Sequence, residues 1–105
     1  MTNKVLGMMG LATKAGKIVF GYEACKQYIS KKKIYLLIIA KDASEKTKSN
    51  IKFLCNINNV QYIEYSNMEE ISLSIGKKNK KMVGITDVNF SRKIQELISG
   101  GEVIG

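Results

Sequence analysis

The sequence predicts an α/β protein, a three-layer α/β/α sandwich whose central mixed sheet has about four strands. Three observations predict it. Short β-like runs alternate along the chain with stretches of helical spacing, each of a size to cross over a sheet and return. One run, "IYLLIIA" from Ile34 to Ala40, is apolar throughout, as a strand covered on both faces must be. Glycine and asparagine punctuate the helical stretches, and no linker, long repeat or low-complexity tract interrupts the pattern.

Taken in order, "NKVLGMMGLATKAG" places Val5, Leu6, Met9 and Ala12 on one helical face, and Gly16 ends it. "KIVFG" is a short extended piece. "YEACKQYISKKK" is a helix expected to bury Ala24, Cys25, Tyr28 and Ile29, and "IYLLIIA" follows as the central strand. "DASEKTKSNIKFLCNINN" opens on Ser44 as N-cap and turns Thr47, Ile51, Leu54 and Cys55 inward, until Asn58 and Asn59 break it. "VQYIEY" is a strand, "NMEEISLSIG" a helix capped by Asn67 and ended by Gly76, and "KMVGIT" a strand. "NFSRKIQELISGG" is a last helix stopped by glycines.

The 105 residues fit one domain, residues 1–105, and a hydrophobic fraction of 45% supports a modest core. The formal charge of +8 gives the surface a field that attracts polyanions: RNA, DNA or anionic membrane. Arg92 is the only arginine, and an abundance of Lys, Asn and Ile is also what A/T-rich codons produce, so charge narrows the partner no further. No apolar run is long enough to span a membrane, and the N-terminal stretch lacks the features of a signal peptide. A cytoplasmic protein with reduced Cys25 and Cys55 is the expectation.

Histidine is absent, so no Ser-His or Cys-His nucleophile can be built, and zinc would have to rely on two distant cysteines plus carboxylates. Cys25 and Cys55 fall on apolar helical faces and read as small buried hydrophobes rather than a redox pair. Asp42, in "IIAKDAS", and Asp87, in "ITDVNF", lie just beyond strands, where α/β folds gather carboxylates for magnesium or phosphoryl chemistry. Each also precedes a helix start, where an aspartate accepts backbone N–H bonds, and that reading is preferred. The alternative function is a small magnesium-dependent enzyme or regulatory domain using both. "GLATKAGK" lacks the glycine before Lys-Ser/Thr that a phosphate-binding loop requires.

Two basic stretches remain. In "TKAGKIVFGYEACKQ", Gly21 permits a tight turn, and the helix after it aims unpaired N–H groups at any nearby anion, with Lys14, Lys17 and Lys26 as flanking cations. Tyr22 either stacks on a base or closes the core. "GKKNKK", Gly76 to Lys81, is either a solvated charged loop or one whose charge, high for its length, serves an anion. "SKKK", Ser30 to Lys33, sits at a helix C-terminus, where lysines complement the dipole with no partner.

The stretches "KAGKIVFGYEACKQYISKKKIYLLIIAKDAS" and "LCNINNVQYIEYSNMEEISLSIGKKNKKMVGITD" resemble the L-seven-Ae / L-thirty-e ribosomal protein superfamily, in particular its small bacterial YlxQ-type members. The resemblance runs from about Lys4 to Ile98. It implies an α/β/α sandwich, no catalysis, and as partner a ribosomal or other structured RNA containing a kink-turn, a sharply bent helix with tandem sheared G·A pairs; a monomer with no cofactor and no metal is the further expectation. By position it implies an RNA face made of Gly21 to Gln27, Ser44 to Lys48 and Lys77 to Lys81. Together with the flanking cations Lys14 and Lys17 of the first basic stretch, the expected contact residues are Gly21, Tyr22, Glu23, Lys26, Gln27, Lys48, Lys77, Lys78, Asn79 and Lys80. Where strong kink-turn binders carry an Asn-Glu pair and, a turn later, a lysine, this chain has Glu23, Ala24 and Gln27, with Lys26 just before. The basic loop is more charged than in the archaeal members, which shifts the expected balance from base contact toward phosphate contact.

Overall fold

In the computed structural model, residues 3–101 are described. Helix α1 (Lys4–Lys14) leads to strand β1 (Ile18–Phe20), α2 (Tyr22–Ser30), β2 (Leu36–Ile39), α3 (Glu45–Ile57), β3 (Tyr62–Glu64), α4 (Met68–Ser74), β4 (Met82–Ile85) and α5 (Val88–Glu96). A π-helical turn, Leu97–Gly101, follows. The mixed sheet has the order β1-β4-β2-β3. β2 and β3 are parallel, while β4 runs antiparallel to both β1 and β2.

The period of two along β2 divides the core. Leu36, Ile38 and Ala40 face one layer with Val5, Met9, Ile71, Ile75 and Ile94, which brings α1, α4 and α5 to that side. Leu37 and Ile39 face the other with Cys25, Ile29, Ile51 and Cys55, from α2 and α3. β2 is buried along its whole length, as its composition requires of a strand with helices on both sides. Gly84 lies on the α2/α3 face of β4, where Ile34 fills the place its missing side chain would take.

Three burial expectations shift. Ala24, Tyr28, Thr47 and Leu54 are half-buried, because each helix rests on the sheet along a narrow stripe centred on Cys25/Ile29 or Ile51/Cys55. Tyr35 is 51% exposed although it falls inside the apolar run, since it precedes β2 at the end of the sheet. Lys48 turns inward on α3 at 8% exposed, against Glu64 of the edge strand.

Register decides what each end of the sheet holds. Phe20 pairs with Val83 and Ile39 with Met82, so β1 and β2 finish where β4 begins, and β3, parallel to β2, finishes there too. This upper end gathers Gly21, the 40–44 turn, the start of α4 and the 77–81 loop. At the lower end Ile85 pairs with both Ile18 and Leu36. It gathers Lys17, the end of α2 and the start of α5.

Candidate nucleic-acid interface

Side chains cap four of the helices. Asn3 accepts from Leu6 N, Ser44 from Thr47 N, Asn67 from Glu70 N and Asp87 from Phe90 N. α2 is different: Gly21 is its N-cap, with φ 87° and ψ 157°, and no side chain caps it. That conformation is open almost only to glycine. Gly21 N–H donates to Met82 O at 3.1 Å and Gly21 O accepts from Cys25 N at 3.1 Å, which fixes the first turn of α2 against the start of β4. The N–H groups and positive dipole end of α2 are thereby presented at the upper end.

The basic loop arrives at the same place and is built rather than loose. Ser72, 4% exposed on α4, accepts from Lys80 N at 2.8 Å and donates to Lys80 O at 3.2 Å. Lys77 N donates to Ser72 O at 2.9 Å, and Lys81 O accepts from Ala40 N at 2.8 Å. Gly76 and Asn79 make the turns at φ 70° and 57°. Above Phe20, the residue before Gly21, stand the ammonium groups of Lys77 at 5.1 Å and Lys80 at 5.3 Å from the ring centroid. The ring face attracts both cations and holds them beside the start of α2. Between α4 and this loop a groove of about 370 Å³ is lined by Met68, Glu69, Ser72, Leu73, Lys77, Lys78 and Asn79.

Of the predicted contact residues, Gly21, Tyr22, Glu23, Lys26, Gln27, Lys77, Lys78, Asn79 and Lys80 share this end. Tyr22 is half-buried against the α2/α3 core, with the Lys26 ammonium 5.9 Å from its ring centroid. Glu23, Lys26 and Gln27 are exposed on α2. Lys48 also stands near the upper end, but its ammonium pairs with Glu64 at 3.0 Å and Glu45 at 3.6 Å. The hydrogen bond to Glu64 raises the Lys48 pKa, while bonds from Lys52 and then Lys48 hold the Glu64 carboxyl below its ordinary range. Lys52 bonds the other Glu64 oxygen and lies 5.9 Å from the Tyr62 ring centroid. Lys14 and Lys17 are not brought to this site: Lys17 O accepts from Thr86 N at the lower end, and Lys14 ends α1 just before it. Phe20 and Ser72 were not legible as site residues. An aromatic directly before a turn glycine was the one signal for Phe20, and Ser72 carried none.

The carboxylate alternative fails on topology. Asp42 follows β2 and Asp87 follows β4, and because those strands are antiparallel the two side chains lie at opposite ends of the sheet. Both serve helices. Asp87 caps α5, while Asp42 accepts from Met68 N at 2.9 Å and so helps the start of α4 rather than the helix it precedes. Among the described residues no three His, Cys, Asp or Glu side chains gather as metal ligands. Burial pushes the Cys25 thiol up to about 12 and the Cys55 thiol up to about 11, so both stay protonated at neutral pH. What the upper end offers is a cationic, backbone-donor surface suited to an anion.

A sequence model described as "Ribosomal protein L7Ae/L30e/S12e/Gadd45 family" matches residues 3–95. "RNA-binding protein YlxQ" of Enterococcus faecium is 37% identical over 97 residues, covering 92% of this chain and 93% of that protein. The protein of the same description from Bacillus subtilis (strain 168) is 30% identical over 91 residues, covering 87% of this chain and 91% of that one. Among solved structures, a protein of unknown function from Bacillus halodurans C superposes with a TM-score of 0.89 at 28% identity, over 92% of this chain and 98% of that chain. A Giardia lamblia 15.5kD RNA binding protein superposes with a TM-score of 0.78 at 14% identity, over 100% of this chain and 93% of that chain, a likeness of fold.

Proposed function

Because the chain belongs to the ribosomal protein L7Ae/L30e/S12e/Gadd45 family, as a member of its YlxQ type, we propose that this non-enzymatic protein binds structured RNA through the upper end of its sheet. The finer reading is that a monomer recognises a kink-turn or similarly bent helix in the cytoplasm, in ribosomal RNA or another structured RNA. One observation carries it: α2, the helix without a side-chain cap among the five described, opens on Gly21, and Lys77 and Lys80 stand over the ring of Phe20, the residue before it. Backbone donors and lysines stand at the same end of the sheet, and phosphate contacts from such groups set the register of an RNA without reading its sequence. Glu23 beside them is tolerable against RNA only as an acceptor for base-edge donors, which is the specific part of the reading.

The test compares a minimal kink-turn RNA with the same RNA after its G·A pairs are disrupted. Wild type is expected to prefer the kink-turn, and Glu23→Gln to lose that preference more than it loses overall affinity. Replacing Lys77, Lys78 and Lys80 by Ala weakens binding by about 1–3 kcal/mol in total and lowers the salt slope, while replacing Lys31, Lys32 and Lys33 does much less on this short RNA. If wild type binds both RNAs alike, the kink-turn reading is wrong. A flat salt response would remove the electrostatic one.

A further inference from the structure

The lower end of the sheet holds a second basic surface that the sequence does not put together. Lys14 and Lys17 close α1 and lead into β1, and Lys31, Lys32 and Lys33 follow α2; all five are exposed. Ile85 bonds to strands on both sides, so Ile18 and Leu36 lie two strand spacings apart, about 10 Å. Lys17 thus stands across β4 from Lys33 and from the half-exposed ring of Tyr35. Among the described residues none of these five lysines makes an ion pair or lies over an aromatic ring.

The local charge balance separates this patch from the site already described. Around the upper end the lysines at 26, 41, 46, 48, 77, 78, 80 and 81 are interleaved with Glu23, Asp42, Glu45, Glu64, Glu69 and Glu70. Among the described residues, the carboxylate that the topology places at the lower end with the five lysines is Asp87, already engaged as the cap of α5. The more purely positive surface is therefore the one away from the site. Helix α2 also ends in a Schellman arrangement, with Lys33 N donating to Tyr28 O and Lys32 N to Ile29 O, both at 2.9 Å. Its left-handed residue is Lys32 at φ 57°, a position glycine ordinarily takes.

From this juxtaposition we infer that Lys14, Lys17, Lys31, Lys32 and Lys33, with Tyr35, form a second RNA-binding face that grips the phosphates of a separate helical segment while the upper end holds the first. The three residues of β1, four steps and about 13 Å, separate Lys17 from Gly21, and the two groups lie at opposite ends of the sheet. With the two groups at opposite ends of the sheet, each takes its own RNA segment and the protein bridges the two. A helical RNA fits better than an anionic membrane, because the patch pairs its cations with a single aromatic and no run of apolar side chains to enter acyl chains. Recognition here is by charge and spacing, without sequence preference.

The test uses the full chain, a short kink-turn RNA to occupy the upper end, and a fluorescent 12-base-pair RNA duplex as probe. Sedimentation velocity is expected to show a ternary complex at low salt. Replacing Lys14, Lys17, Lys31 and Lys33 by Gln weakens duplex binding at least tenfold, changes the affinity for the kink-turn RNA less than twofold, and leaves Tm unchanged. To make the result independent of the kink-turn reading, the duplex is also titrated against the chain carrying Ala at 77, 78 and 80. That variant keeps the duplex, with a salt slope of about three to four, and loses it when the four Gln substitutions are added. The inference is overturned if no ternary complex forms, if the duplex displaces the kink-turn RNA, or if the Gln variant binds duplex as wild type does. It is equally overturned if the Gln variant loses only its binding to phosphatidylserine vesicles, which would assign the patch to a membrane.

Discussion

Gly21→Ala isolates the backbone conformation on which the upper end depends. At φ 87° and ψ 157° Gly21 occupies a region where a residue with a Cβ costs of order 1–3 kcal/mol. A Cβ built there meets no atom within 4 Å, so the whole cost is backbone strain and no repacking can relieve it. The smaller entropy of the unfolded chain returns only about 0.4–1 kcal/mol. A net loss of about 1–2 kcal/mol corresponds to a fall in Tm of roughly 5–15 °C for a domain of this size. If the chain instead relaxes to negative φ, the bond from Gly21 N–H to Met82 O is broken and the first turn of α2 swings away from Lys77 and Lys80, so affinity for RNA falls as well. Gly7→Ala is the control. Gly7 lies exposed within α1 and a Cβ there also meets nothing, yet its helical position makes the same chemical change stabilising by about 0.5–1 kcal/mol. Thermal unfolding followed by circular dichroism, with RNA titrations alongside, reads both variants. A Gly21→Ala protein as stable as wild type, with RNA affinity intact, would refute the reasoning.

Gly84→Ala should also destabilise, for the opposite reason: its Cβ would lie 2.4 Å from Ile34 Cδ1 and 3.1 Å from Val19 Cγ2, an overpacking that costs about 1–3 kcal/mol. Adding Ile34→Val removes the closest atom, so the double variant should unfold at higher urea than Gly84→Ala alone, and an additive loss would count against this account. Glu64→Gln is expected to lower the urea midpoint at pH 7 by leaving Lys48 without its main counter-charge. Because the folded Glu64 pKa is depressed from its ordinary 4.5, the stability it contributes is present above that value and is lost as pH falls through the folded pKa. The gap between wild type and Glu64→Gln should therefore narrow in urea titrations as pH is taken progressively below 4.5, and a gap of constant size would exclude the ion pair as its cause.

The local elements were legible because the physics behind them is local. Hydrophobic spacing set the helices, the apolar run from Ile34 required a covered strand, and short-range hydrogen bonding explains why Ser44 and Asn67 cap the helices expected of them. Gly21 and the lysine loop could be singled out for the same reason, since a left-handed turn and a dense charge run are properties of a few adjacent residues. The insertion of β4 between β1 and β2 was not legible, because which strands pair depends on packing between residues far apart in the chain, such as Ile18 and Ile85 or Leu36 and Ile85. That single choice of register carries the functional geometry. It brings Phe20 under Lys77 and Lys80, sends Lys14 and Lys17 to join Lys31 to Lys33 at the other end, and parts Asp42 from Asp87. It also leaves β3 at an edge, where Glu64 meets Lys48 and Lys52 and turns an expected surface lysine into a nearly buried one. Sequence by itself determined which residues could make helices, strands and charge; only tertiary structure decided which charges stand together, because a charge acts on its neighbours in space and not along the chain.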